Sequence, residues 1–168
     1  MPLTPRDEDR LLVAMAAGGP APSVRRLSRD EMDQAALVHR ASFDDRVPWL
    51  AGLHTPSEDH AYFRDQIFAR CDVWGAIDDG LIGFIAFRDE WIEQFYVLPA
   101  RQRQGVGEAL LKIAKAACPE LRLWTFQRNA PARRFYEKRG FVALEETDGG
   151  GNEEREPDIL YRWQRPAC

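Results

Sequence analysis

Apolar and polar residues follow two different periods along this chain, and the change of period marks its elements. In "SRDEMDQAALVHRASF" the positions Met32, Ala35, Ala36 and then His39 or Phe43 recur at helical spacing. Ser28 followed by Glu31 adds a capping-box start. "TPSEDHAYFRDQIFAR" predicts a second helix, with Thr55 as N-cap, Pro56 at the first position and Glu58 behind it. The intervening "DDRVPWLAGLHT" reads as a loop. The period then becomes two: "CDVWGAID", "GLIGFIAFR" and "WIEQFYVLP" predict consecutive strands, the first pair joined by the hairpin signal "DDG".

A stripe of Val106, Ala109, Leu110, Ile113, Ala114 and Ala117 predicts the next helix, and "LRLWTFQ" a strand. "NAPARRFYEKRG" is a helix capped by Asn129 and closed by Gly140. "SVRRL" (23–27) is the first strand; "FVALEET" and "DILYRWQ" close the chain around the polar loop "DGGGNEEREP". The order β-α-α-β-β-β-α-β-α-β-β describes an α/β (α+β) fold, with a single domain over 23–168 and no internal repeat. Residues 1–22 read as an extension, with a short helix in "TPRDEDRLLVAMA" and a linker in "GGPAP".

Composition narrows the setting. A chain of 168 residues suits one domain, and no apolar run reaches the ~20 residues of a membrane-spanning helix. The acidic, mixed N-terminus lacks the pattern of a secretory signal. Cys71, Cys118 and Cys168 are odd in number and scattered, which predicts neither a disulfide framework nor a metal site and points to the cytoplasm. The net charge of −4 argues against nucleic acid as a partner. Its distribution is uneven: residues 101–139 hold ten Arg or Lys against three Glu, a balance of +7 that leaves −11 elsewhere. Such a basic segment suggests a discrete anionic ligand.

That segment contains "RQRQGVGEALL", two glycines at the start of an amphipathic helix. The first-turn N–H groups of a helix have no intrahelical partner and lie at the positive end of its dipole. A phosphate can take those donors where no side chain blocks its approach, and Gly105 and Gly107 keep that approach open. The P-loop pattern GxxxxGK[ST] is absent, and Leu110 stands where a dinucleotide fingerprint needs its third glycine. What remains is Gln102-x-x-Gly105-x-Gly107, after a strand ending "YVLP" and before "LRLWTFQ", Asn129 and "RRFYEKRGF".

This combination, from about Trp91 to Phe141, resembles the GNAT superfamily of N-acetyltransferases, which use acetyl-CoA. The resemblance implies a mixed, mostly antiparallel central sheet in which a bulged strand splays from its neighbour to hold acetyl-CoA. It places pantetheine against the backbone of Phe95, Tyr96 and Val97, with the Val97 N–H as oxyanion donor. It places the pyrophosphate on the motif that Gln102 opens, along the amides of Arg103, Gln104, Gly105, Val106, Gly107 and Glu108. Asn129 matches a position whose side-chain amide contacts the cofactor, besides serving as an N-cap. Tyr136 matches a tyrosine that protonates the departing thiolate; a phenol of pKa ~10 can protonate a thiolate whose conjugate acid lies near ~8.5. Glu93 is the candidate base for the acceptor amine, and Trp91, on the same strand face, a wall of its pocket.

One departure is Trp124, which stands where some ribosomal-protein acetyltransferases carry a glutamate five residues before this asparagine. N-terminal acetylation of a ribosomal protein loses support on that account. Acceptor specificity in the family comes from the first two helices, the loop that joins them and the last strands. Trp49 and His54 are the candidates in that loop, and Asn152, Glu153 and Glu154 those in the acidic stretch Glu145–Asp158, which suits a cationic amine. The expected function is transfer of an acetyl group from acetyl-CoA to a small-molecule or peptide amine by direct attack in a ternary complex. The alternative is a non-catalytic acyl-CoA-binding module of the same fold. The resemblance also leaves room for a homodimer.

Overall fold

The computed structural model describes residues 21–168. The predicted helix in "TPRDEDRLLVAMA" and most of the linker therefore lie outside the described residues. Seven strands form one sheet in the order β1-β2-β3-β4-β5-β7-β6. They are β1 (Ser23–Arg26), β2 (Asp72–Ile77), β3 (Leu81–Arg88), β4 (Trp91–Val97), β5 (Glu120–Phe126), β6 (Val142–Glu146) and β7 (Asp158–Gln164). Every neighbouring pair is antiparallel except β4–β5. The helices are α1 (Met32–Arg46), α2 (Pro56–Tyr62), α3 (Val106–Ala117) and α4 (Ala130–Glu137).

The predicted order of elements holds, with two local differences. The first helix runs on to Arg46 instead of ending near Phe43, because nothing stops it before Pro48. Asp44, read as loop, pairs with Arg40 one turn earlier at 3.3 Å. The second helix passes into a π-helical turn at Phe63–Ile67 before a last turn at Phe68–Arg70.

Both sheet faces are covered. Phe84 and Ala86 of β3 pack with Met32, Ala35, Phe63 and Ile67 under α1 and α2. Ile85 and Phe87 pack with Leu110, Leu111 and Ala114 of α3 and with Tyr136 of α4. Full burial on both faces explains why β3 reads as an unbroken apolar run. A fully buried Leu contributes roughly 1.5–3 kcal/mol, so Leu110 and Leu111 alone fasten α3 to the sheet firmly.

Candidate functional site

Strand β4 carries the site because its two edges differ. Toward β3 the register is continuous from Gln94↔Ala86 to Val97↔Gly83 but shifts so that Ile92 opposes Phe87, which leaves Glu93 as the extra residue of a bulge. Toward β5 the pairing is reduced to Trp91↔Arg122, held by the Arg122 N–H on the Glu90 carbonyl at 2.7 Å. Beyond that point the two strands part.

The ladder fixes which backbone groups face the gap. Leu98 donates to Ile82 directly opposite at 2.9 Å, so that pair exchanges hydrogen bonds with β3. Such pairs alternate along an antiparallel ladder. Tyr96 is therefore bonded to β3, whereas Phe95 and Val97 turn their N–H and C=O groups toward the missing neighbour. The Val97 carbonyl is already engaged, by the Ser42 hydroxyl at 2.8 Å and the Gln102 amide at 3.0 Å. Left free among the described residues are the Phe95 N–H and C=O and the Val97 N–H.

A cleft of about 1110 Å³ occupies the gap. On its α3–α4 side, Gly105 is the N-cap of α3 with φ +82°, a left-handed conformation that any side chain would strain. A Cβ there would meet nothing within 4 Å, so its role is the backbone turn more than clearance. Gly107 differs: a Cβ would lie 3.3 Å from the Phe135 ring, so this glycine also lets α4 close on α3. Arg103, Arg134 and Lys138 line the cleft, their side chains without an ion pair or hydrogen bond among the described residues. Arg139 also lines it, with its guanidinium 3.8 Å from the Phe135 ring centroid. Glu108 opposes this positive field but is paired with Arg139 at 3.5 Å.

Asn129 caps α4 by accepting from Ala132 N–H at 3.3 Å, and its Nδ2 has no protein partner among the described residues. Tyr136 is buried among Phe95, Phe135, Phe141 and Tyr161 and borders the cleft, its hydroxyl unpaired among the described residues. Burial raises its phenol pKa well above the ordinary value, so it enters any reaction protonated.

The opposite side of the sheet, under α1, is built from side chains. Tyr96 lies edge-on to His39, ring centroids 4.7 Å apart, and Phe43 meets Phe126 at 6.2 Å. Trp124 lines the cleft and is 44% exposed. Burial lowers the His39 pKa to about 4, so its imidazole is neutral near pH 7. Glu93 borders the cleft but is bound to Arg88 at 3.0 Å.

The remaining sequence candidates divide clearly. Gln102 lines the cleft as a strut: while donating to Val97 it accepts from Arg46 of α1. Gln104 does not line it; its side chain turns to Arg101 and the Ala100 carbonyl. Val106 is buried core beneath α3, and Trp91 lies at the β4–β5 junction outside the cleft wall. Trp49 donates to Glu156 at 2.7 Å, and His54 meets Glu153 at 3.1 Å, both outside the cleft wall. Asn152 lines the cleft, yet its amide is engaged by Glu156 of the 148–157 loop and Asp158 at the start of β7. Glu154 also lines it and has no hydrogen bond or ion pair among the described residues.

Sequence reasoning missed His39, Ser42, Phe43, Arg46, Arg134, Lys138 and Arg139. Arg134 of α4 and Lys138 and Arg139 just past its end lay in "RRFYEKRGF", where their spacing was a usable signal; nothing in the sequence ties α1 to the end of β4. No helix among the described residues is long and apolar enough to cross a membrane. Among them, no group of three His, Cys, Asp or Glu is placed to hold a metal ion.

The profile of the acetyltransferase (GNAT) domain matches residues 69–143, from the last turn before β2 into β6. The peptidyl-lysine N-acetyltransferase YiaC of Escherichia coli (strain K12) is 34% identical over 80 residues, 46% of this chain and 55% of that protein. The chain thus spans little more than half the length of that relative. The peptidyl-lysine N-acetyltransferase YjaB of Salmonella typhimurium is 23% identical over 121 residues, 71% of this chain and 82% of that protein. The crystal structure of the PaiA N-acetyltransferase from Thermoplasma acidophilum in complex with coenzyme A superposes with a TM-score of 0.61. It shares 23% identity over 85% of this chain and 98% of that one.

Proposed function

We propose that the chain is an acetyltransferase of the GNAT family and that it moves an acetyl group from acetyl-CoA to the side-chain amine of a peptidyl lysine. The observation that carries this reading is the opened β4–β5 pair, which leaves the Phe95 N–H and C=O and the Val97 N–H unpaired along one side of the cleft. Those groups suit the amides of a pantetheine arm laid in place of a strand. The first-turn amides of α3, with Arg103, Arg134 and Lys138 around them, suit a pyrophosphate. The free Asn129 Nδ2 adds a donor, and the lysine acceptor follows the relatives named above.

Acetyl-CoA supplies an acetyl group already activated as a thioester. The chain's part is to hold that carbonyl with the Val97 N–H, which strengthens as negative charge grows on the oxygen. The Tyr136 hydroxyl, kept protonated by burial, gives its proton to the leaving sulfur. Proton removal from the amine falls to a carboxylate on the α1 side, where Glu93 and Glu154 both reach the cleft.

The test is direct. Incubation with acetyl-CoA and a mixed lysine-peptide library should add about 42 Da to lysine side chains by mass spectrometry, the net gain when an acetyl group replaces a hydrogen. Tight calorimetric binding of acetyl-CoA with no acetylated peptide would favour the non-catalytic acyl-CoA-binding module instead.

A further inference from the structure

We propose that Glu154 anchors the acceptor's ammonium and takes its proton, in a slot walled by Tyr96 and Trp124. This rests on the lysine-acetyltransferase reading and specifies its acceptor side. The argument is one of elimination among carboxylates that otherwise look alike. Glu93 is held by Arg88, Asp158 by Thr147 and Asn152, and Glu108 by Arg139. Glu145, on the edge strand β6, lines the cleft but is exposed. Glu154 alone among the lining carboxylates is half-buried and unpaired among the described residues.

Its place is fixed from both sides. His54 holds the preceding Glu153 at 3.1 Å, and Trp49 holds Glu156 at 2.7 Å. Asn152 ties the loop to itself through the Glu156 carbonyl at 2.8 Å. Trp49, His54, Asn152 and Glu153, acceptor candidates in the sequence beside Glu154, are thus clamps around the one carboxylate they leave free. Tyr96 and Trp124 point to the same face of the sheet, since Leu123 and Phe95 on either side of the gap belong to the opposite core. Aromatic walls beside an unpaired carboxylate suit an alkylammonium and its methylene chain. The Glu154 charge also bears on the Tyr96 hydroxyl, whose pKa burial and that charge raise together.

The protons balance. The ammonium gives one proton to the Glu154 carboxylate, and the neutral nitrogen forms the new C–N bond as the C–S bond breaks. The bonding pair leaves on sulfur, which takes the Tyr136 proton; the second amine proton restores Tyr136. Glu154 releases its proton to water.

The test uses the full chain saturated with coenzyme A, which cannot acetylate. Calorimetry compares a lysine peptide with the same peptide carrying norleucine. Wild type should prefer lysine by roughly tenfold or more, and Glu154→Gln should lose that preference while Glu145→Gln keeps it. A preference that survives in Glu154→Gln, or is absent from wild type, overturns the proposal. Acetyl transfer to the lysine peptide is followed separately by mass spectrometry. Transfer without a Glu154-dependent preference removes the anchor and keeps the transferase; the preference without transfer removes the transferase and keeps the anchor.

Discussion

The two sides of the cleft are built from different materials. On the α3–α4 side the groups facing the gap are backbone: the free edge of β4 and the first turn of α3, with cations around them. On the α1 side they are side chains from α1, β4, β5 and the 148–157 loop. A backbone surface accepts a ligand common to many proteins, because its geometry depends only on a strand pair and a helix start. A side-chain surface is particular to one chain. Under the proposed function the shared donor takes the first side and a specific acceptor the second.

The largest effect expected from disturbing this arrangement is at Tyr136, the one side chain of the backbone-built half given a chemical task. Tyr136→Phe keeps the ring among Phe95, Phe135 and Phe141 and removes only the hydroxyl. Turnover should fall by roughly 10²–10⁴-fold while the acetyl-CoA dissociation constant stays within about twofold. Steady-state kinetics with parallel calorimetry reads both. Undiminished turnover would leave Tyr136 as packing alone.

The acceptor side should betray its buried polar floor through pH. In the folded chain His39 stays neutral down to about pH 4, whereas an unfolded histidine takes its proton near 6.5. Between those values the unfolded state binds more protons, so stability is full above pH 6.5 and is lost as pH falls toward 4. The loss between pH 7 and pH 5 should be about 2 kcal/mol by urea denaturation. His39→Phe should flatten that slope, and an unchanged slope would place the titrating group elsewhere.

The same contrast governs what the sequence could tell. Backbone sites demand residues of a given kind at a given spacing, so Gly105 and Gly107 could be placed at the start of α3, and Asn129 at the start of α4, from the letters alone. Even there the physical reasons are sharper in three dimensions. Gly105 answers to its positive φ, Gly107 to the Phe135 ring, and Gln102 to the Val97 carbonyl. The α1 side depends on which partners meet. Trp49, His54, Asn152 and Glu153 were suitable by type, but whether a carboxylate is paired or free is decided by neighbours far off in the chain. His39 meeting Tyr96, or Ser42 meeting Val97, follows no local pattern.

The smallest effect separates the two glycines. Gly105→Ala must hold a Cβ at φ +82°, which costs about 1 kcal/mol although the space is open. For a domain of this size that corresponds to a fall in Tm of roughly 2–4 °C. Gly107→Ala instead gains up to about 1 kcal/mol of helix propensity inside α3 and pays part of it back against the Phe135 ring at 3.3 Å. Its Tm should hardly move. Both substitutions should weaken coenzyme A binding, but by different routes: Gly105→Ala by tilting the first-turn amides, Gly107→Ala by pushing Phe135 toward Phe95 and the gap. Thermal denaturation beside calorimetry distinguishes them. Equal losses of Tm would mean that both positions answer to the same constraint, and the separation of turn from contact drawn from their geometry would fail.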